Sequence, residues 1–290
     1  MTAALARSDN QADLVSGEFA FTIGDFRKIA ALIYQMAGIT LPEAKATLVY
    51  SRLAKRLRTL GLRSFSEYCE LVESNAGEVE RGSMLTALTT NVTRFFREPH
   101  HFEHLRKTVI EPLAPAIRAG RRLRIWSAGC STGQEPYSIA LTLLDVIPEA
   151  ARLDVKILAT DIDRNVIATA RQGIYTEDLL EGVSLAQRDR WLERTSGGWE
   201  VGPAARSLVS PRELNLMAQW PMAGQFDVIF CRNVVIYFDE PTQERIWSRY
   251  ASKLVPGGRL YVGHSERVSY PGSAFETDGL TTYKLPGALR

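Results

Sequence analysis

The stretch that most limits how this chain can fold is Leu123 to Ala140, which reads Leu-Arg-Ile-Trp-Ser-Ala-Gly-Cys-Ser-Thr-Gly-Gln-Glu-Pro-Tyr-Ser-Ile-Ala. A short apolar run (Leu123, Ile125, Trp126) gives way to a loop of tiny residues holding Gly129 and Gly133. Pro136 and the series Ile139, Ala140, Leu143 and Leu144 then read as a helix. Strand, tight turn, helix is the expected order. A loop without bulky side chains lets backbone N–H groups approach a ligand where the positive end of a helix dipole also points. In an open α/β sheet that arrangement holds a nucleotide-like ligand at the carboxyl end of the first strand, although a Gly-x-x-x-Gly turn can also do no more than join a strand to a helix.

Size permits more than one domain, since 290 residues at 45% hydrophobic content can bury a substantial core. A formal charge of +2 gives no general reason to expect nucleic acid as a partner. The three cysteines, Cys69, Cys130 and Cys231, lack metal-ligand spacing and suit a reducing, cytoplasmic setting. No apolar run is long enough for a bilayer span, and the first residues lack the basic-then-apolar order of a secretory signal, so residues 1–18 read as a flexible tail.

From Phe19 to about Ala119 the pattern is helical. Phe26, Ile29, Ala30 and Ile33 share one face, and Gly38 with Pro42 interrupts before a second helix with the stripe Val49, Leu53, Leu57 and Leu60. Lys45, Arg52 and Arg56 fall together away from that stripe, with Lys55 on their flank, and no acid occurs between Glu43 and Glu67. Such a run is either a solvated face or a docking surface for an acidic partner. Gly61 is placed to stop this helix and Phe65 to Leu71 to form a third. The segment Thr89-Thr-Asn-Val-Thr-Arg-Phe-Phe-Arg-Glu-Pro-His-His-Phe follows, with Asn91 and Thr93 suited to capping or to a ligand edge. His100 and His104 have the spacing of a metal pair but no third ligand of fitting spacing, so no metal is expected there.

After the glycine loop, Val155-Lys-Ile-Leu-Ala-Thr-Asp-Ile-Asp is a strand ending in acids. Asp161, roughly 20 to 30 residues past the loop, is placed to accept hydrogen bonds from ribose hydroxyls, and Asp163 to cap the next helix. The α/β rhythm breaks between Gly173 and Arg212, where Gly197-Gly198 between two tryptophan-bearing runs suggests a hairpin insert of about 174–211. A strand around Arg206 to Leu214 is expected next, with Asn215 and Leu216 just past its end. Phe226 to Cys231 is an apolar central strand leading to Arg232, Asn233 and Tyr237. A helix from Glu240 to Leu254 ends at Pro256-Gly257-Gly258 before a last strand from Arg259.

Several of these runs together resemble the CheR-type chemotaxis receptor methyltransferases: Asn91-Val-Thr-Arg-Phe-Phe-Arg-Glu, Ser127-Ala-Gly-Cys-Ser-Thr-Gly-Gln-Glu-Pro-Tyr-Ser, Ala159-Thr-Asp-Ile-Asp, Cys231-Arg-Asn-Val-Val-Ile-Tyr-Phe and Gly263-His-Ser-Glu. The resemblance spans Phe19 to Leu285. It implies an α/β, Rossmann-like domain that binds S-adenosylmethionine (SAM), an all-helical N-terminal domain and a small inserted β-subdomain. The implied divisions are a receptor-docking domain at 19–88, a linker and helix contributing to the SAM site at 89–120, and the methyltransferase domain at 121–290.

The resemblance also implies that Asn91, Thr93, Arg97, Gly129, Glu135, Asp161, Asn215, Leu216, Arg232 and Asn233 surround the cofactor. Glu135 and Asp161 would lie near its amino-acid or ribose parts, and Asn215-Leu216 near adenine. The implied reaction methylates glutamates on the cytoplasmic helical bundle of a chemoreceptor and releases S-adenosylhomocysteine. A glutamate is already ionised at neutral pH, so no general base is required, and Arg97 and Tyr237 are the residues suited to orient it. With a Glu-rich receptor as partner, Lys45, Arg52, Lys55 and Arg56 become candidates for receptor docking. Some members grip a pentapeptide tethered to the receptor through a longer glycine-containing loop; the compact Thr195-Ser-Gly-Gly-Trp departs from that pattern and suggests binding without the tether. Three other readings stand beside this one: an NAD-dependent dehydrogenase, whose Gly-x-Gly-x-x-Gly spacing is missing, a SAM-binding adaptor without catalysis, and a methyltransferase of a non-chemotaxis signalling protein.

Overall fold

The computed structural model describes residues 14–269 and 272–288; most of the expected tail, residues 1–13, lies outside the described residues. The chain divides into two compact units, one comprising residues up to Thr90 together with Tyr237–Asp239, the other Asn91–Ile236 with Glu240 onward. The helical stretch 100–118 lies in the second unit.

The first unit is helical: α1 (Ile23–Ala37), α2 (Ala46–Leu60), α3 (Phe65–Glu73) and α4 (Glu78–Leu88). Thr22 and Asp25 form a reciprocal capping box that satisfies backbone donors at the start of α1. The α1 face Phe26, Ile29 and Ile33 and the α2 face Val49, Leu53 and Leu57 are buried, and Phe21 and Phe65 rings meet at 4.3 Å. Gly61 ends α2 in the left-handed conformation. Leu60, expected on the apolar stripe, is 38% exposed, because it is the last residue of α2, nearly one turn beyond the buried Leu57. The segment Tyr237–Asp239 joins this unit through an antiparallel bridge between Ile39 and Phe238 and a bond from Thr40 N to the Tyr237 carbonyl (2.8 Å).

In the second unit, α5 (His100–Leu105) runs through one π-turn into α6 (Glu111–Arg118). A seven-stranded sheet follows, with β1 (Leu123–Ala128), β2 (Val155–Asp161), β6 (Val209–Glu213), β7 (Phe226–Cys231), β8 (Leu254–Val262), β9 (Glu276–Gly279) and β10 (Thr282–Lys284) in the order β6-β2-β1-β7-β8-β10-β9. β6, β2, β1, β7 and β8 are parallel, and β10 runs antiparallel to both of its neighbours, β8 and β9. Every residue of β7 is buried, as a central parallel strand requires. From β1 the chain builds first toward β2 and β6, then crosses to β7 and β8. This reversal is the topological switch point where open α/β sheets bind ligands, and the tips of β1, β2 and β7 are its neighbours.

The insert is a three-stranded antiparallel sheet of β3 (Ile174–Tyr175), β4 (Leu192–Thr195) and β5 (Gly198–Val201), ordered β3-β5-β4. Two expected boundaries move. Arg206–Leu208 is the end of a helix, Pro203–Leu208, rather than strand: Pro203 at its first position and two alanines favour helix, so the strand starts at Val209 and the insert ends before it. At the other end, the helix Glu240–Lys253 stops one residue early and β8 already begins at Leu254. Pro256-Gly257-Gly258 lies within β8 because the register slips from Phe226↔Leu254 to Val228↔Arg259, and the bulge absorbs the extra residues.

Candidate active site

Parallel register brings the tips of β1 and β2 together, with Ala128 opposite Thr160, and the loop after β1 folds back on that edge. The N–H groups of Gly129 and Cys130 both donate to the Thr160 carbonyl, at 2.7 and 2.9 Å. Gly133 closes the loop at φ +99°, where a Cβ would lie 2.7 Å from the Tyr175 hydroxyl and 2.9 Å from the Ala170 methyl, so only glycine fits. Tyr175, from the inserted sheet, donates to the Thr132 carbonyl at 2.8 Å and braces the loop from outside. Gly129 is held left-handed too, with Val234 crowding its open side.

Asp161 is buried at the tip of β2. Its Oδ2 accepts the Ser131 N–H (2.9 Å) and its Oδ1 the Asp163 N–H (3.1 Å). Burial pushes its pKa above the ordinary aspartate value, against the pull of these backbone donors. Asp163 caps the helix Arg164–Gln172 as expected, accepting from Asn165 N at 2.9 Å. Asn91 joins the same cluster: its side-chain amide donates to Asp163 Oδ2 (3.0 Å) and its carbonyl accepts from Ser131 Oγ (2.9 Å).

Glu135, in the first turn of the helix Gln134–Val146, is buried beside Arg232 from the tip of β7. Ser127 Oγ donates to its Oε1 at 2.7 Å and Arg232 Nη1 to its Oε2 at 3.1 Å. Burial raises the Glu135 pKa, opposed by the Arg232 charge and the Ser127 hydroxyl. The other end of the Arg232 guanidinium reaches Glu98 Oε2 at 3.2 Å and donates to the Arg97 carbonyl. Glu98 also accepts from His264 Nδ1 at 3.0 Å. Burial works to raise the Glu98 pKa, but Arg232 and His264 outweigh it and hold the carboxyl below the usual glutamate value. Arg97 itself turns back to donate to the Val92 carbonyl (3.0 Å), and Thr93 lies half-buried between them in sequence.

The turn after β7 is fastened by Glu266. Its carboxylate accepts the N–H groups of Asn233, Val234 and Val235, each at 2.9 Å, and of Gly263 at 2.5 Å. Asn233 is left-handed at φ +59° and packed so closely that a Cβ on Gly263 would lie 2.5 Å from its amide nitrogen. Past β6, Asn215 Oδ1 accepts from Met217 N (2.9 Å), and the carbonyl of the buried Leu216 accepts from Trp220 Nε1 (3.2 Å) and Arg249 (2.5 Å).

The geometry thus places Asn91, Gly129, Glu135, Asp161, Arg232 and Asn233 at the carboxyl ends of β1, β2 and β7, in separate bonded groups: Asn91 with Asp161 through Ser131 and Asp163, Glu135 with Arg232, and Asn233 with Glu266. Asn215 and Leu216 are tied to the same edge through Leu214 N, which donates to the Asp161 carbonyl at 2.8 Å. Glu98 and Glu266 are the functional residues the sequence reading passed over. Both stood inside quoted motifs, but most of their partners (Arg232 and His264 for Glu98; Asn233, Val234 and Val235 for Glu266) are more than 30 residues away in sequence, and spacing alone does not reveal such pairs. His104, four residues after His100, turns to other partners: its Nδ1 meets the Tyr261 hydroxyl (2.9 Å) and its Nε2 the Asp278 carbonyl (3.0 Å).

Tyr237 packs with the helical unit, where Lys45 Nζ lies 5.5 Å from its ring centre. In that unit the basic set on α2 divides. Arg52 donates to the carbonyls of Ala87, Leu88 and Thr89 at the carboxyl end of α4, at 3.3, 2.9 and 2.8 Å. Arg56 forms a two-pronged pair with the buried Glu80 (3.0 and 2.7 Å), which also accepts from the Tyr68 hydroxyl (2.9 Å). These two arginines tie α2 to its helical neighbours, and Lys55 is exposed.

The donor set suits SAM. Two buried carboxylates held above their ordinary pKa call for hydrogen-bond donors or positive charge, and Arg232 keeps a buried Nε without a partner among the described residues. Ribose hydroxyls, an α-ammonium and an α-carboxylate answer those needs. Comparison with known proteins decides the family. The family described as "CheR methyltransferase, SAM binding domain" matches residues 91–284, and "CheR methyltransferase, all-alpha domain" matches residues 24–89.

This chain belongs to the CheR methyltransferase family. A probable chemotaxis protein methyltransferase of Rhizobium etli is 57% identical over 258 residues, covering 87% of this chain and 96% of the relative. Chemotaxis protein methyltransferase 2 of Pseudomonas aeruginosa is 43% identical over 271 residues, covering 92% of this chain and 94% of the relative. The chemotaxis protein methyltransferase of Escherichia coli is likewise 43% identical over 271 residues, covering 92% of each chain. Membership makes the chain a SAM-dependent methyltransferase with a helical N-terminal domain, and it removes the dehydrogenase reading.

Proposed function

We propose that this protein methylates glutamate side chains on the cytoplasmic helical bundle of a chemoreceptor, giving γ-glutamyl methyl esters and S-adenosylhomocysteine. The observation that carries this reading is the match along almost the whole length of relatives named chemotaxis protein methyltransferases, helical unit included. Bound SAM supplies a methyl group on a positively charged sulfur. Glu135, Asp161, Asn91 and the Gly129 loop hold the cofactor, with Arg232, Asn233, Thr93, Asn215 and Leu216 completing the enclosure. The acceptor carboxylate is ionised at neutral pH, so the chain has to orient it and exclude water rather than remove a proton; holding reactants in line is worth about 7–11 kcal/mol. Cys130 and Cys231 are buried with pKa values pushed well above the ordinary thiol, which disfavours thiolate chemistry at this edge. Arg97 and Tyr237 are the residues assigned to orient the substrate carboxylate. Docking falls to Lys55 and Lys45 on the helical unit.

The inserted hairpin supports binding without a receptor tether. Thr195 pairs directly with Gly198, which leaves a two-residue turn and little loop to grip a peptide. No helix among the described residues is long and apolar enough to cross a membrane, in keeping with action in the cytoplasm on a receptor anchored elsewhere.

The test is transfer of label from methyl-labelled SAM to purified receptor cytoplasmic fragments. Alkali-labile label released as methanol from glutamate is the expected result. SAM binding without transfer would overturn the reading in favour of an adaptor or another protein substrate.

A further inference from the structure

Two buried imidazole nitrogens, His100 Nε2 and His101 Nδ1, have no hydrogen-bond partner among the described residues, and Glu98 Oε2, ion-paired with Arg232 Nη2 at 3.2 Å, belongs to the same group. One ligand atom from each of the three side chains lies within 4.8 Å of the others. Orphaned buried nitrogens are costly, and two of them beside a carboxylate call for a shared partner. The ring of His101 is fully buried, and its orientation is set from behind: Nε2 lies 2.8 Å from Thr281 Oγ1 and 3.2 Å from the Leu280 carbonyl. A carbonyl can only accept, so Nε2 carries the proton and Nδ1 turns a lone pair toward Glu98. Nδ1 and Oε2 stand 3.5 Å apart, too far for a good hydrogen bond. That separation is close to the edge, about 3.4 Å, of a tetrahedron of ligands placed about 2.1 Å from a zinc ion.

We infer that Glu98, His100 and His101 form a site for a borderline divalent cation such as Zn2+, two imidazoles and one carboxylate with a fourth position left for water. The outward bond from His101 Nε2 to a backbone carbonyl is the support that metal-bound histidines usually have. Glu98 can serve this ion and its neighbours together, since a carboxylate has about four lone-pair sites: Oε1 takes His264 Nδ1 and Oε2 also faces Arg232 Nη2 at 3.2 Å. Arg232 is the main electrostatic cost. It sets the expected affinity in the micromolar range, weaker than a closed structural zinc site. The ion would pin the turn holding Phe96 and Glu98, both of which sit in the left-handed region at φ +50° and +57°.

The test uses the full chain without an affinity tag, stripped with chelator and titrated with Zn2+ alone by calorimetry. Background is small, because the chain has four histidines, both nitrogens of His104 are engaged, and the three cysteines are buried. One equivalent is expected, and Co2+ in its place should give the strong visible bands of a four-coordinate ion. His100→Gln and Glu98→Gln, each checked for folding by circular dichroism, should weaken uptake at least tenfold. His101→Gln is avoided because its buried ring also packs the core. Uptake well below one equivalent, the faint spectrum of hydrated Co2+, or full uptake by both variants would overturn the site.

Discussion

Arg232 Nη1 stands 3.1 Å from Glu135 Oε2, and both side chains are buried. The pair joins the tip of β7 to the first turn of the helix that follows the glycine loop. Removing Arg232 strands the buried Glu135, so Arg232→Met should cost about 3–5 kcal/mol in denaturant unfolding, and Glu135→Gln should cost less because Glu98 still pairs with Arg232. The double change to Glu135→Leu with Arg232→Met should recover much of that loss yet still bind SAM poorly by calorimetry. Recovery of stability together with wild-type SAM affinity would remove the pair from the cofactor site.

Glu266 gathers four backbone N–H groups from two loops, so its role is to hold Asn233 and Gly263 in place. Glu266→Ala should destabilise the protein by about 2–4 kcal/mol, because buried donors lose a charged acceptor. SAM affinity should fall while the KM for receptor changes little. A variant that unfolds no more easily than wild type would show that water replaces the carboxylate.

On the helical unit, Arg56→Glu should destabilise by about 3 kcal/mol or more, since it sets a second acid against the buried Glu80. Lys55→Glu should leave stability within about 0.5 kcal/mol and raise the receptor KM, with SAM affinity unchanged. An unaltered KM in Lys55→Glu would reduce that face of α2 to a solvated surface.

Glu98 gives a signed pH dependence. Its folded pKa lies below the ordinary 4.5, so it contributes stability above that value which is lost as pH falls through the lowered folded value. Glu135, Asp161 and Glu266 run the other way: burial raises them, and they disfavour the folded state as pH rises past their ordinary values. Glu98→Gln should therefore flatten the acid side of the stability profile below pH 4.5 and leave the higher-pH side in place. An unchanged acid limb, measured by urea unfolding across pH, would refute the Glu98 assignment.

Local chemistry made a good part of this molecule legible from its sequence. The glycine loop, the Asp163 cap, the Gly61 stop and the hairpin at Gly197-Gly198 each rest on residues within a few positions of one another. The start of β8 was misplaced for the complementary reason, since the bulge is settled by pairing with β7. Leu60 and the start of β6 were misplaced although the signals were local, the Gly61 stop beside Leu60 and Pro203 with two alanines before Val209. The same holds at the site. Asp161 could be found from its place after a strand, but Glu98 and Glu266 act on partners brought near only by the sheet. Arg52 and Arg56 looked like free charges because Glu80 and the end of α4 lie a helix and more away.

The three residues Tyr237–Asp239 count with the helical unit although the chain on either side of them belongs to the other. The two units are thus distinct in folding but not in gene order. Cutting the chain at Thr90 would leave Phe238 without Ile39 and Tyr237 without Thr40, a tripeptide stranded without its partners. Grafting the helical unit of one relative onto the catalytic unit of another would have to carry this passenger with it, so the helical unit is written into the sequence in two places.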